Sequence, residues 1–93
     1  MPILSFKSSD TEALFGGNRV RRFFTIESVA MRKLAILNRA GRLDDLRVPP
    51  GSRLEALKGD RRGQYSIRIN DQFRICFVWT AAGPAEVEIV DYH

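Results

Sequence analysis

Two different spacings of apolar residues divide the chain. From Thr25 onward, apolar residues recur every three or four positions, and Gly41 follows the last of them. This period predicts an amphipathic helix of about four turns. The apolar positions are Ile26, Val29, Ala30, Leu34 and Leu37, and the polar positions are Glu27, Arg32, Lys33 and Arg39.

A shorter helix is predicted ahead of it in "SSDTEALF". Ser9 is placed to cap the free amides at the start, and Glu12 follows three residues later, as in a capping box. Gly16 and Gly17 provide the stop. Before this helix, "ILSF" at residues 3–6 is a short run typical of a strand.

After "RVPPGSR" the apolar period changes to two. Pro49 and Pro50 prevent a helix there because each fixes φ and lacks an N–H donor. Alternation then predicts strands at 65–70 and 73–79, joined by a tight "ND" hairpin, and a last strand that continues at least to Val90. A shorter strand is expected at 53–57, and "GDRRG" and "TAAGPA" are predicted turns.

This order of elements predicts an α+β fold in a single domain over residues 1–93. An N-terminal strand and two helices would pack on one face of a twisted, mainly antiparallel sheet. Arg68 and Arg74 would project from the opposite, solvent-facing side, where pairing with Glu86 or Glu88 is an equally good explanation of their presence. The residues expected to face the helices are Tyr65, Ile67, Ile69, Phe73, Ile75, Phe77, Trp79, Val87 and Ile89.

Composition and charge limit which partners and which kinds of site the chain can have. The net charge is +4, and residues 1–52 hold nine basic and five acidic side chains. This balance favours an anionic partner, and in "NRVRRF" phosphate contact by Arg21 and Arg22 is weighed evenly against a solvated surface. One cysteine and one histidine cannot form a usual zinc site, so no metal or cofactor is expected. The chain shows no leader, membrane span or disulfide framework, which predicts a cytoplasmic protein.

The final "DYH" gathers a carboxylate, a phenol and an imidazole. Strand pairing should hold them, and because side chains alternate, Tyr92 and His93 should approach the open face more readily than Asp91. A metal-free reaction that suits these groups is RNA cleavage by its own 2′-hydroxyl, which needs a base, an acid and cations at the phosphate. Asp91 and the α-carboxylate favour the imidazolium of His93. This charged form favours the role of general acid, and the role of general base stays open.

The cationic candidates are Lys58 and Arg74, with Arg68 a weaker third, and Tyr92 could donate a hydrogen bond or stack on a base. On spacing alone, a lone histidine at this position is more often incidental, and Lys58 in "LKGDRRG" is more often a turn residue. These residue types therefore indicate a chemistry without establishing it.

The longer motifs resemble a known family. "RLEALKGDRRGQYSIRINDQFRICFVW" and the final "VEIVDYH" resemble the HigB branch of the RelE/ParE toxin superfamily, most closely its GraT-like members. The resemblance implies a type II toxin that acts as a ribosome-dependent endoribonuclease and cleaves mRNA in the ribosomal A site. The functional residues it implies are Lys58, Arg74, Asp91, Tyr92 and His93. Contacts with RNA or the ribosome are expected at Gln72, Arg68, Arg61, Arg62, Arg21 and Arg22.

The chain also departs from some members of this family. Glu55 stands where some have histidine, so proton-transfer work cannot be carried to it unchanged. Gln72 stands where some have asparagine, and it offers only hydrogen bonds.

The resemblance implies partners as well. A HigA-like helix-turn-helix antitoxin would neutralise the toxin, and operator DNA would be contacted only through their complex. Two alternatives stay open: a ParE-like gyrase inhibitor, whose family lacks the final Asp-Tyr-His, and a non-catalytic ribosome- or nucleic-acid-binding module that affects ribosome assembly.

Overall fold

Two helices pack on one face of an antiparallel sheet. The computed structural model describes residues 1–92, and within them the sheet has four strands in chain order. The helices are α1 (Ser9–Phe15) and α2 (Glu27–Arg39), and the strands are β1 (Glu55–Ala56), β2 (Tyr65–Arg68), β3 (Phe73–Thr80) and β4 (Gly83–Asp91). Short 3-10 helices lie at Arg21–Ile26, Leu43–Arg47, Pro50–Ser52 and Gly59–Arg61. The predicted α+β fold is confirmed.

Helix α1 is capped one residue earlier than the sequence indicated. Ser8 is the N-cap, and its hydroxyl accepts a hydrogen bond from the amide of Thr11 at 3.3 Å. Ser8 is extended and therefore directs its oxygen back at the free amides, whereas Ser9 is already helical, so the prediction of Ser9 was wrong. The glycine stop is confirmed, with Gly16 as C-cap and Gly17 in a left-handed conformation at φ +95°.

Helix α2 buries most of the apolar stripe expected of it. Ile26, Ala30, Leu34 and Leu37 are buried in the core, and Val29 is half-buried. Lys33, which was assigned to the polar face, is only 8% exposed. That assignment was wrong because the turn Pro50–Ser52 provides Lys33 with a buried partner.

The core lies between the helices and the inward face of the sheet. Five of the expected residues of β2, β3 and their connection are buried, and Tyr65 and Trp79 are half-buried at its margin. Phe23, just ahead of α2, meets the ring of Phe73 edge-on at 6.2 Å and joins the two layers. The five buried residues are Ile67, Ile69, Phe73, Ile75 and Phe77.

Strand β4 begins earlier than predicted. "TAAGPA" was expected to be a turn, but the turn occupies only residues 81–82, and β4 starts at Gly83. Thr80 explains the short reversal, because its hydroxyl donates to the carbonyl of Gly83 at 2.8 Å and accepts from the amide of Ala82 at 3.1 Å. These bonds satisfy backbone polar groups within the turn, so that β4 pairs with β3 directly after it.

The predicted N-terminal strand runs along the outer edge of β4. Leu4 donates its amide to the carbonyl of Pro84 at 2.8 Å, and Lys7 donates to Val87 at 3.0 Å. The strand at 3–6 is reduced to one parallel bridge between Phe6 and Val87, because Pro84 has no N–H to return to the ladder. No helix within residues 1–92 is long and apolar enough to cross a membrane.

Candidate functional site

The sheet face opposite the helices carries a continuous polar row. In the strand register, Glu55 lies opposite Ser66, Ser66 opposite Cys76, and Cys76 opposite Glu88, so the row crosses all four strands within residues 1–92. Ser66 and Cys76 are fully buried although no helix covers this face. Long polar side chains from the flanking segments therefore lie over the middle of the row.

Arg74 is held at this face by three groups. Its Nε donates to the hydroxyl of Ser66 at 2.8 Å, and its Nη2 donates to the carbonyl of Arg53 at 2.9 Å. The same Nη2 lies 3.1 Å from a carboxylate oxygen of Glu55, and the side chain is only 13% exposed. Within residues 1–92 no partner occupies Nη1, so two N–H donors of a fixed guanidinium are available to an anion.

The expected environment of Arg74 was wrong in two respects. The side chain is largely covered instead of facing solvent, and it pairs with Glu55 instead of Glu86 or Glu88. The reason is the edge strand β1, which places Glu55 beside Ser66 on this face. Glu88 is occupied by Arg61, whose Nη1 donates to it at 3.0 Å.

Tyr92 reaches the same face from the end of β4. Its ring centre lies 6.0 Å from the guanidinium carbon of Arg74, and its hydroxyl oxygen lies 3.8 Å from the sulfur of Cys76. The backbone amide of Tyr92 donates to the carbonyl of Gln72 at 2.6 Å, which confirms that pairing holds the chain to this point. The residue is 45% exposed, so Tyr92 is open to a ligand in part.

Two weak acids at this face are kept neutral. Burial raises the pKa of the Tyr92 phenol, and its contact with the Cys76 thiol raises that pKa further. Burial also raises the pKa of Cys76. Both groups are therefore protonated at neutral pH, and Tyr92 offers a ring and an O–H donor instead of a negative charge.

Asp91 faces away from this row. It lies opposite Phe73 in the register, and its carboxylate accepts from the side-chain amide of Gln72 at 3.0 Å. This agrees with the expectation that Tyr92 approaches the open face more readily than Asp91. The predictions made for His93 lie outside the described residues.

Lys58 and Arg61 belong to the segment after β1. Lys58 is exposed at the start of the turn Gly59–Arg61, and within residues 1–92 its ammonium has no hydrogen bond or ion pair. Arg61 donates to Gln64 at 3.1 Å as well as to Glu88, and this second bond raises the pKa of Arg61. Lys58 is thus available to a phosphate, whereas Arg61 ties its turn to β4.

Comparison with known proteins identifies the family. Residues 5–93 match a family model described as the RelE-like toxin of type II toxin-antitoxin system HigB. The chain belongs to the HigB family of RelE-like toxins. A protein named Toxin HigB-1 from Vibrio cholerae serotype O1 is 41% identical over 78 residues, which is 82% of each chain. An uncharacterized protein of Haemophilus influenzae is 39% identical over 49 residues, 53% of this chain and 48% of that protein.

Membership of the HigB family makes the chain a type II toxin, and HigB toxins pair with an antitoxin. Within residues 1–92 of this toxin, no cluster of three or more histidine, cysteine, aspartate or glutamate side chains could hold a metal ion.

The remaining sequence candidates of this HigB-family toxin lie apart from Tyr92. Arg68 is opposite Arg74 in the register and contacts Asp71, and this hydrogen bond lowers the pKa of Asp71. Arg62 is exposed after the turn that contains Arg61. Two others lie in the helical layer: Arg22 is 3.4 Å from Asp10, and Arg21 is exposed.

Sequence reasoning missed the contacts that hold Arg74 in this HigB-family toxin, although it singled out Glu55 for another reason. Ser66 and Glu55 are common residue types, and neither stands out in the sequence as a partner of Arg74. The third partner is the backbone carbonyl of Arg53. The alternation of β2 did place Ser66 on the open face, so the strand register was the one signal that could have paired it with Arg74. The approach of Arg53 carries no local sequence signal.

Proposed function

We propose that this HigB-family toxin is an endoribonuclease that cleaves mRNA in the ribosomal A site. In this proposal residues 1–93 act as one domain, and an antitoxin of the HigA type, with a helix-turn-helix, neutralises it and carries the contacts with operator DNA. The observation that carries the proposal is the fixed guanidinium of Arg74 beside the half-exposed ring of Tyr92.

Arg74 supports phosphate chemistry because it is already oriented. A cation that is fixed before the reaction stabilises the charge that develops on a phosphate without paying for reorganisation. Its Nη1 has no partner within residues 1–92, and the exposed ammonium of Lys58 supplies a second positive charge. The open part of the Tyr92 ring is suited to stacking on an RNA base next to that phosphate.

The proposal assigns proton transfer to two groups, a base and an acid. The carboxylate of Glu55 contacts Arg74, and its side chain is 57% exposed. In this proposal the Glu55 carboxylate acts as the general base that takes the proton of the 2′-hydroxyl. His93 then protonates the departing 5′ oxygen, and Asp91 helps to hold the end of β4 through Gln72.

The ribosome is proposed to supply the positioning of the message. Exposed Arg21 and Arg62 lie in different parts of the fold, and together with the net charge of +4 they suit contact with RNA backbone on more than one side of the toxin. A toxin held by ribosomal RNA in this way would meet mRNA already extended in the A site.

The test is expression of the toxin without an antitoxin, followed by mapping of new 5′ ends on translated messages. Wild type is compared with Lys58→Ala, with a variant that lacks His93, and with Arg47→Ala as a control. Arg47 is exposed, and among residues 1–92 it pairs only with the nearby Asp44. We expect new ends inside codons for wild type and Arg47→Ala, and a loss of about tenfold or more for the other two.

The opposite result is growth arrest in all four strains with no new ends inside codons. That outcome would reject the proposed endoribonuclease activity. Altered supercoiling of plasmid DNA would then favour gyrase inhibition, and altered ribosome sedimentation would favour a non-catalytic ribosome-binding role.

A further inference from the structure

Lys33 is a buried lysine that the proposed reaction does not use. It lies in α2, and its ammonium donates to the hydroxyl of Ser52 at 2.5 Å. Ser52 is itself 2% exposed and is the last residue of the turn Pro50–Ser52. A lysine is seldom buried to this extent unless its charge is used, so the bond to Ser52 needs an explanation.

The residue after Ser52 provides the connection to the site. Arg53 has a left-handed backbone, with φ 46° and ψ 64°, and its amide donates to the carbonyl of Pro50. A residue other than glycine keeps this conformation only where its surroundings enforce it. The conformation matters because it directs the carbonyl of Arg53 at Nη2 of Arg74.

We propose that Lys33 and Ser52 are positioning residues that set the orientation of the Arg74 guanidinium. Lys33 anchors Ser52 from the helical layer, the anchored turn fixes the backbone of Arg53, and the Arg53 carbonyl holds Nη2 so that Nη1 faces the substrate. Three bonded steps thus join α2 to the opposite face of the sheet. The use of this orientation in cleavage rests on the proposed function.

Three variants test the connection. Lys33→Met keeps the length and most of the volume of the side chain and removes the donor, and Ser52→Ala removes only the acceptor. Leu37→Val is the control, because Leu37 is also buried in α2 and its side chain has no polar atom. Folding of each variant is checked by its thermal unfolding midpoint before any other measurement.

The first measurement is hydrogen exchange of the Arg74 guanidinium protons by NMR on the free full-length toxin, with Arg74→Lys used to assign the signals. We expect Lys33→Met and Ser52→Ala to exchange about tenfold faster than wild type, and Leu37→Val to exchange at the wild-type rate. If Lys33→Met and Ser52→Ala, the two relay variants, both exchange at the wild-type rate, the inference is overturned, whatever the toxin does to RNA.

The second measurement is single-turnover cleavage on programmed ribosomes. We expect each relay variant to lower the maximal rate about tenfold with no change in apparent ribosome affinity, since Arg74 is misplaced and not removed. Combining either with Arg74→Ala should cause no further loss. Additive losses, or a wild-type rate in the relay variants, overturn the inference. If the wild-type toxin does not cleave RNA, only the proposed function is rejected. The exchange rates then still show whether Lys33 and Ser52 orient Arg74.

Discussion

The guanidinium carbon of Arg74 lies 6.0 Å from the centre of the Tyr92 ring, although Arg74 comes from the start of β3 and Tyr92 follows the end of β4. The two meet because β3 and β4 pair along their length and because Gln72 binds the backbone of Tyr92. A positive charge and a partly exposed aromatic ring thus lie side by side, as an RNA phosphate and its base would require.

Two replacements of Arg74 distinguish the contribution of its positive charge from that of its fixed orientation. We expect Arg74→Ala to lower cleavage of ribosome-bound mRNA by about a hundredfold or more, because a fixed cation at the phosphate is lost. Arg74→Lys keeps the charge but cannot bind Ser66, Arg53 and a phosphate together, and we expect a loss of about tenfold. Single-turnover rates measure both, with Arg47→Ala as the control. Equal rates for Arg74→Lys and wild type would show that the fixed guanidinium has no role.

Tyr92 also shields Cys76. The buried thiol is 3.8 Å from the Tyr92 hydroxyl, and burial raises its pKa, so we expect slow alkylation of native toxin by iodoacetamide. Tyr92→Ala should speed alkylation by about tenfold, whereas Tyr92→Phe keeps the ring and should remain close to wild type. Mass spectrometry follows the reaction. Equal rates for Tyr92→Ala and wild type would mean that other groups alone cover the thiol.

Gly83 is expected to be intolerant of a side chain. An added Cβ would lie 2.9 Å from the carbonyl oxygen of Pro2 and 3.1 Å from Cβ of Met1, and φ is +133°. Gly83→Ala should therefore lower the free energy of unfolding by about 2 kcal/mol, as measured in urea. Gly41→Ala is the matched control, because its nearest contact is Asp45 Oδ2 at 3.6 Å, and it should change stability by less than about 1 kcal/mol. Similar effects of the two changes would contradict the close packing of the N-terminal segment on β4.

Lys33 should make stability depend on pH in the alkaline range. Burial lowers the pKa of Lys33 below 10.5, its ordinary value, and the charges of Arg32 and Arg68 lower it further. Between the folded pKa and 10.5, the unfolded chain binds a proton that the folded chain has lost, so stability contributed by this group rises with pH. Lys33→Met lacks this titration. The difference in free energy of unfolding, Lys33→Met minus wild type, should therefore fall as pH rises through that window, and a constant difference would contradict the lowered pKa.

The helices and strands were largely predictable because their information is local. The period of three to four in α2 and of two in β2 and β3 follows from burying one side of each element, and both were confirmed. The exceptions have nonlocal causes. Lys33 is buried because a turn about 20 residues later provides Ser52, and β4 starts at Gly83 because Thr80 closes the turn with its own side chain.

The candidate site was predictable only in part for the same reason. Alternation placed Tyr92 and Arg74 on one face, but it does not describe what a side chain binds across strands. The partners of Arg74 come from three other segments, at Arg53, Glu55 and Ser66, and such contacts depend on the register of the edge strand. The functional roles assigned to Lys58, Arg74, Asp91, Tyr92 and His93 stay predictions.

The most direct test of the proposed reaction is a single change in the RNA. Purified wild-type toxin is added to ribosomes that hold a defined codon in the A site, with either a ribose or a 2′-deoxyribose on the 5′ side of the cleaved bond. Attack by the 2′-hydroxyl predicts cleavage of the all-ribose message, with a cyclic phosphate and a 5′-hydroxyl as the new ends, and no cleavage of the deoxy message. Equal cleavage of both messages would contradict this account of the reaction.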